Sequence, residues 1–348
     1  FPQRQVPPSA VPVCHPEAWL VNTEDDRAPP LPGRRRQHAR TADAVRCAFV
    51  RMFACVLLML SPMAHALDLV LLAPGDKGPA QQFVEALRKA TKPGVHRVRE
   101  VTALDEVARD GALERTDVVI AAGRQAVEAA LRQSDRPVFA VLVGQRDVER
   151  FRREFPQRSL GAIVLDQPVA RHLALVRAIL PQASQLGVLL GPDSRFVEPM
   201  INQAATAQQL ALDIVGIADS TELVGALQVL LERNAALLPL PDSLVSSPAA
   251  ARAILLTSYR HRRPVFAFSS AYVSAGALAA VFSSPEHIAY DLADLLNAGL
   301  HSAEGLGGIH HPERFEVEVN RTVAKALGIT VPDEQILRER IAGGGARR

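Results

Sequence analysis

The chain has 348 residues, with 39 Lys and Arg against 37 Asp and Glu and a formal net charge of +2. The first 66 residues hold 8 of the basic and 5 of the acidic groups, leaving 31 against 32 in the other 282, a balance that gives no electrostatic case for a nucleic-acid partner. All three cysteines, Cys14, Cys47 and Cys55, lie in that first stretch, so the remainder has no disulfide framework and at its length needs none to build a core.

Residues 1–51 are read as a disordered or spurious N-terminal extension. Ala28-Pro29-Pro30-Leu31-Pro32-Gly33 and Arg34-Arg35-Arg36 offer no periodic apolar surface to offset the cost of ordering. Residues 52–66 (MFACVLLMLSPMAHA) have the features of a secretory signal peptide. Arg51 precedes an apolar run from Phe53 to Leu60, Pro62 breaks it, and Ala64-His65-Ala66 supplies a small-x-small cleavage pattern. The run is too short for a membrane-spanning helix, which takes roughly 20 residues. Export to the periplasm, with a mature chain starting near Leu67, is the expectation.

From Leu67 onward, short apolar runs alternate with helical patterns. Strands are predicted at Leu67 to Ala73, Val95 to Val101, Asp117 to Ala121, Pro137 to Val143 and Leu160 to Leu165. Between them helical spacing covers Pro79 to Ala90, a short piece near Leu104 and Val107, Arg124 to Gln133 and Val148 to Phe155. The rhythm restarts after Asp166 to Pro168. Strands at Leu186 to Leu190, Asp213 to Ile217, Ala235 to Leu240 and Val265 to Phe268 alternate with helices at Ala170 to Ile179, Phe196 to Leu210, Ser220 to Glu232 and Pro248 to Tyr259. Gly276 to Phe282 is extended, a helix starts at Ser284-Pro285-Glu286, Phe315 to Val319 alternates as a strand, and Val323 to Leu327 is helical.

Strands apolar on both faces and joined by helices belong to parallel sheets covered on both sides. The fold class expected is α/β: two Rossmann-like lobes with parallel sheets, a ligand cleft between their carboxyl edges, and a hinge of several strands. Lobe 1 is assigned residues 67–165 plus about 277–300, lobe 2 residues 166–276 plus about 301–334, and 335–348 a flexible tail.

Enzyme chemistry is not legible. Gly75-Asp76-Lys77-Gly78 lacks the spacing and following hydroxyl of a Walker loop, and no G-x-G-x-x-G, G-x-S-x-G or H-E-x-x-H occurs. His310-His311 beside Glu313 is read as a solvated loop in preference to a metal site. Candidate ligand contacts are therefore sought at strand exits. Asp76 and Lys77 follow the first strand. Gly123, Arg124 and Gln125 open a helix whose free backbone donors favour an anion, and Arg124 suits a carboxylate. Asp242 and Ser243 follow the strand ending at Leu240, where Asp242 either holds an ammonium or caps the helix containing Pro248. Ser269, Ser270 and Tyr272 follow another strand, either as a recognition edge or as a turn packed on the hinge. No nucleophile among them has a visible base, so binding without catalysis, cofactor or metal is the expectation.

The pieces DVVIAAGRQAVEAAL (117–131), PVFAVLVG (137–144), ILPQASQLGVLLGPDS (179–194), ALLPLPDSLVSSP (236–248), RRPVFAFSS (262–270) and NRTVAKALGITVPDE (320–334) resemble, in order and spacing, the ABC transporter substrate-binding protein family that includes tryptophan and tyrosine binders. The resemblance implies a type I periplasmic-binding-protein-like fold, usually monomeric. It would close on a small organic solute, an amino acid or related carboxylate, and present it to an ABC permease and ATPase. It also implies that Gly123 and Arg124 fall near the ligand carboxylate, Asp242 on the family's cleft Asp and Ser269 on the next strand exit. Arg124 departs from the family's small hydroxyl residue, and the first strand lacks its small polar exit. The alternative is an accessory or sensory protein of the same fold without its own permease.

Overall fold

Three nearly fully buried strands explain how the first sheet is built. Val118–Ala122 (β3) and Leu160–Val164 (β5) are buried at every position, and Val138–Val143 (β4) at all but one. Such runs sit inside a parallel sheet with helices on both faces. The computed structural model describes residues 67–75, 77–91, 96–101, 113, 115–298 and 307–345. The expected extension and signal segment, the helix near Leu104 and Val107, and Asp76 lie outside them.

Asp68–Leu72 (β1) and Arg97–Val101 (β2) complete one side of that sheet. With Ile309–His310 (β11) added, its order is β11-β5-β4-β3-β1-β2, and every pair is parallel. Successive residues point to opposite faces. Leu69, Leu71 and Ile120 pack with helices Pro79–Ala90 (α1) and Pro285–Asn297 (α10) through Phe83, Leu87, Ile288 and Leu292. Val70, Leu72, Val119 and Ala121 pack on the other face with Arg124–Gln133 (α2) and Gln145–Glu154 (α3) through Val127, Leu131, Val148 and Phe151.

The second sheet has two parts. Ala211–Gly216 (β7), Gln185–Leu190 (β6) and Leu237–Pro239 (β8) pair in parallel in the order β7-β6-β8. Phe266–Ala267 (β9) pairs in parallel with Ala279–Phe282 (β10), which pairs antiparallel with Glu316–Val319 (β12). A single parallel bridge, Leu237 to Val265, joins the parts. One face is covered by Val169–Ile179 (α4) and Glu198–Ala207 (α5), the other by Leu223–Arg233 (α6), Pro248–Arg260 (α8) and Ser270–Ala275 (α9), with the short Ser243–Ser246 (α7) between.

Three boundaries differ from the sequence reading. Residues from about 301 were assigned to lobe 2, yet Ile309 and His310 pair with Ala162 and Ile163 in the first sheet, so the chain leaves lobe 1 only after β11. The segment from 277 stays in the second sheet until Phe282, because β10 has β9 and β12 as partners, and only then does α10 cross to α1. Residues 335–348 were expected to be a flexible tail, yet Glu334–Gly345 (α12) is a helix. Leu337 and Ile341, one turn apart, are buried in the second lobe's core at 0% and 3% exposure, and α12 packs on α4. A pair at that spacing puts two apolar side chains on one helix face, which the glycines after it obscured.

Among the described residues the chain passes between lobes three times: from β5 to α4, from β10 to α10, and from β11 to β12. The crossings are tied together. Gln167 Nε2 donates to Ser283 Oγ at 2.8 Å, Ser283 Oγ donates to the Arg314 carbonyl, and Arg171 donates to the carbonyls of Pro312 at 2.6 Å and Glu313 at 3.2 Å. The carboxylate of Asp291, buried on α10, accepts from the backbone N–H groups of Glu313 and Arg314 and from the Arg314 guanidinium. A buried carboxylate with three donors is stable there where an unpaired one would not be.

Candidate functional site

The carboxyl ends of the strands carry most of the loops in question. After β1, Lys77 is exposed and Gly78, at φ 88°, leads into α1. After β3, Gly123 turns at φ 87°, a conformation that L side chains rarely adopt, and its N–H donates to the Val141 carbonyl at 2.8 Å. This turn projects Arg124 and Gln125, both exposed, at the amino end of α2, where unpaired backbone donors favour negative charge. After β4, Gly144 leads into α3. Gln145 N–H donates to Asp166 Oδ2 at 2.6 Å, so the end of β5 holds the start of α3. Burial raises the Asp166 carboxyl above the usual range, against the lowering effect of that hydrogen bond.

In the second lobe Asp242 is 1% exposed. Its Oδ1 accepts from Leu244 N–H at 2.9 Å, and its Oδ2 accepts from Asp193 N–H at 2.9 Å and Ser194 Oγ at 3.0 Å. It caps α7, not the helix containing Pro248, which Ser247 caps. A Cβ at Gly191 would sit 2.2 Å from Asp242 Oδ1, so only glycine lets the two loops meet this closely. Asp242 is thus a scaffold for the β6 and β8 exits instead of an open ligand contact, because its oxygens are taken and its side chain is sealed in.

The group that scaffold presents is Asp193. Its Oδ2 accepts from Ser243 Oγ at 2.6 Å and Ser243 N–H at 3.3 Å. Those bonds, the Ser243 hydroxyl first, hold the Asp193 carboxyl below the usual carboxylate range, with Arg146 adding to the effect. Arg146 Nη1, from the first turn of α3 in the other lobe, donates to the same oxygen at 2.9 Å. This contact joins the carboxyl edges of the two sheets directly.

Ser269 and Ser270, half-buried, follow β9, and Ser269 Oγ accepts from Tyr272 N–H at 3.3 Å as the cap of α9. Tyr272 is 5% exposed, its hydroxyl donates to the Val245 carbonyl at 3.1 Å, and its ring lies 5.3 Å from that of Phe268. Burial pushes its phenol pKa up. It packs within the second lobe and not on the hinge. His310 is a strand residue and not loop, with Nε2 buried, while His311 Nδ1 lies 2.9 Å from the Asp166 carbonyl. Among the described residues no three His, Cys, Asp or Glu gather in a metal-holding group.

The structure therefore brings Ser243 to the inter-lobe contact and sets Gly123, Arg124 and Gln125 at the end of β3, the strand beside β4. Sequence reasoning did not select Arg146, Asp166 or Asp193. A signal existed for Asp193, since Gly191-Pro192-Asp193 is a strand exit like the others; nothing local marks Arg146.

The sequence matches the family model described as "ABC transporter substrate binding protein" over residues 108–340. Comparison with curated proteins finds no match. Among solved structures, a ligand-free, open substrate-binding protein with adhesive properties from Clostridium difficile aligns at TM-score 0.59 and 18% identity, covering 78% of this chain and 97% of its own. A conserved domain protein from Vibrio cholerae aligns at 0.52 and 20%, covering 79% and 98%. A streptococcal ABC domain in complex with L-Trp aligns at 0.52 and 15%, with the same coverage. The chain belongs to the ABC transporter substrate-binding protein family and has the fold of a type I periplasmic binding protein.

Proposed function

We propose that this member of the ABC transporter substrate-binding protein family captures a small organic solute between its lobes and delivers it to an ABC permease and its ATPase. The observation that carries the reading is the 2.9 Å contact between Arg146 and Asp193, which makes the carboxyl edges of two parallel sheets into opposing walls. A solute touching both walls favours the closed arrangement, and the transport machinery responds to closure.

On the first wall we assign Lys77, Gly123, Arg124 and Gln125 with Arg146; on the second, Ser243, Ser269 and Ser270 with Asp193. The solute proposed is an amino acid or related carboxylate, supported by the cationic first wall and by the L-Trp held by the streptococcal relative. The protein works as a periplasmic monomer, exported through residues 52–66, and captures its solute without turnover. A second reading, an accessory or sensory protein without its own permease, is favoured by the adhesive properties of the clostridial relative.

Native mass spectrometry of the protein purified from its own compartment tests the proposal. A retained small molecule is expected, lost from Arg124→Ala and Ser243→Ala variants and able to induce lobe closure when added back. Chemical conversion of that molecule, or its retention at an unrelated surface, refutes solute capture. A protein that binds solute but enters no complex with permease and ATPase supports the second reading.

A further inference from the structure

The second lobe also has a groove of about 670 Å³, which begins at Ser269 and runs along its flank. It runs between α8, α9 and Arg321–Leu327 (α11), and its walls include Arg252, Leu255, Leu256, Tyr259, Tyr272 and Val323. The inner face of α8 is occupied by Ala250, Ile254 and Ser258, which are buried. Its outer stripe follows helical spacing through Arg252, Leu255, Leu256 and Tyr259, so this helix carries an apolar face on each side. Leu256 is 52% exposed and Tyr259 74%. Two large apolar side chains thus stand open to water along one groove.

The groove also carries charge. Arg252, exposed on the groove's lining, makes no hydrogen bond or ion pair among the described residues, so its guanidinium is open to a ligand. The hydroxyl residues Ser246 and Ser269 stand at the same lining. A groove with an apolar wall, one unpaired guanidinium and a few hydroxyls has the composition of a small-molecule site, and its volume falls within the usual range of roughly 300–1,000 Å³. A guanidinium pairs best with a carboxylate.

We infer that this groove binds a free amphipathic monocarboxylate, an aromatic or medium-chain aliphatic acid, with its anionic head on Arg252 and its apolar body along Leu255, Leu256 and Val323. Of the residues assigned to the mouth, only Ser269 also lines this groove, and the proposed contacts to Arg252, Leu255, Leu256 and Val323 do not depend on what the mouth holds. Volume and charge together select this occupant: a neutral apolar molecule leaves the guanidinium without a partner, and a small anion leaves the apolar wall in water.

Isothermal titration of the full chain with sodium octanoate tests the inference, with octanol as the neutral comparison and Arg338→Gln as a control for lost charge. One saturable site with a dissociation constant of roughly 0.1–1 mM is expected. Arg252→Gln should weaken octanoate about two- to fivefold, the size of an exposed charged contact, and remove the preference over octanol. Leu256→Glu should abolish binding while circular dichroism stays unchanged, since this exposed position tolerates a charge. Three results overturn the inference: no saturable binding below about 10 mM, equal affinity in Arg252→Gln, or binding of octanoyl chains only in phospholipid vesicles. A concentration-dependent dimer that Leu256→Glu disperses also overturns it, because a second copy then covers this face.

Discussion

Replacing Arg146 by Ala should shift the balance between closed and open lobes, because Arg146 and Asp193 supply a direct charge contact across the mouth. Two unit charges 2.9 Å apart attract by about 1.4 kcal/mol in a medium as polar as water. The side chains are 35% and 38% exposed, so solvent screening and the ordering of a long side chain reduce this to about 0.5–1 kcal/mol. That corresponds to roughly a two- to fivefold loss of the closed population. Residues 67–348 contain no cysteine, so paired labels at Gln133→Cys and Gln228→Cys, with Cys14, Cys47 and Cys55 replaced, report lobe separation by double electron–electron resonance. Asp193→Asn should give a similar shift, and the double variant should add little, since both remove one contact. Salt near 1 M should move the wild type toward the variants. For pH, the Asp193 carboxyl is depressed, so the contact is intact above the ordinary carboxylate range and is lost as pH falls through the lowered value. The contact has no role in closure if the wild type and Arg146→Ala give the same distance distributions at low salt.

Three further outcomes follow from packing. Gly191→Ala forces Asp242 from its three donors, and a loss of about 2–4 kcal/mol is expected in urea unfolding; wild-type stability would show that the loops separate freely. His172 is 2% exposed with Nδ1 unpartnered, and burial first, then Arg171, lowers its pKa to about 4. The unfolded chain then binds the extra proton between pH 6.5 and 4, so stability is full above that window and falls by about 3 kcal/mol across it. His172→Leu should remove this component of the slope, measured by denaturation at a series of pH values, and an unchanged slope would place the titration elsewhere. Leu337→Ala should cost about 2–4 kcal/mol in thermal unfolding, where a free tail would give a change near zero.

How much was legible depended on distance along the chain. Val118 to Ala122 and Leu160 to Val164 announce buried parallel strands by their own composition, and the turns at Gly123 and after Leu240 mark strand exits without any knowledge of the fold. Asp242 could be placed at such an exit, but its three donors come partly from Asp193 and Ser194, about 50 positions earlier, so its burial was not readable. Leu337 and Ile341 are too short an apolar pattern to predict a docked helix; α4 supplies the surface that makes it one.

Local periodicity and composition thus determined two αβ runs, their order and the residues at their mouths, because those features depend on neighbours within a few turns or strands. Tertiary structure decided which exits face each other, which polar groups are consumed in holding loops, and where the chain changes lobes. Arg146 meets Asp193 only after two sheets have formed and three crossings have been bound together, and a pairing between residues 47 apart leaves no trace in either one's neighbours.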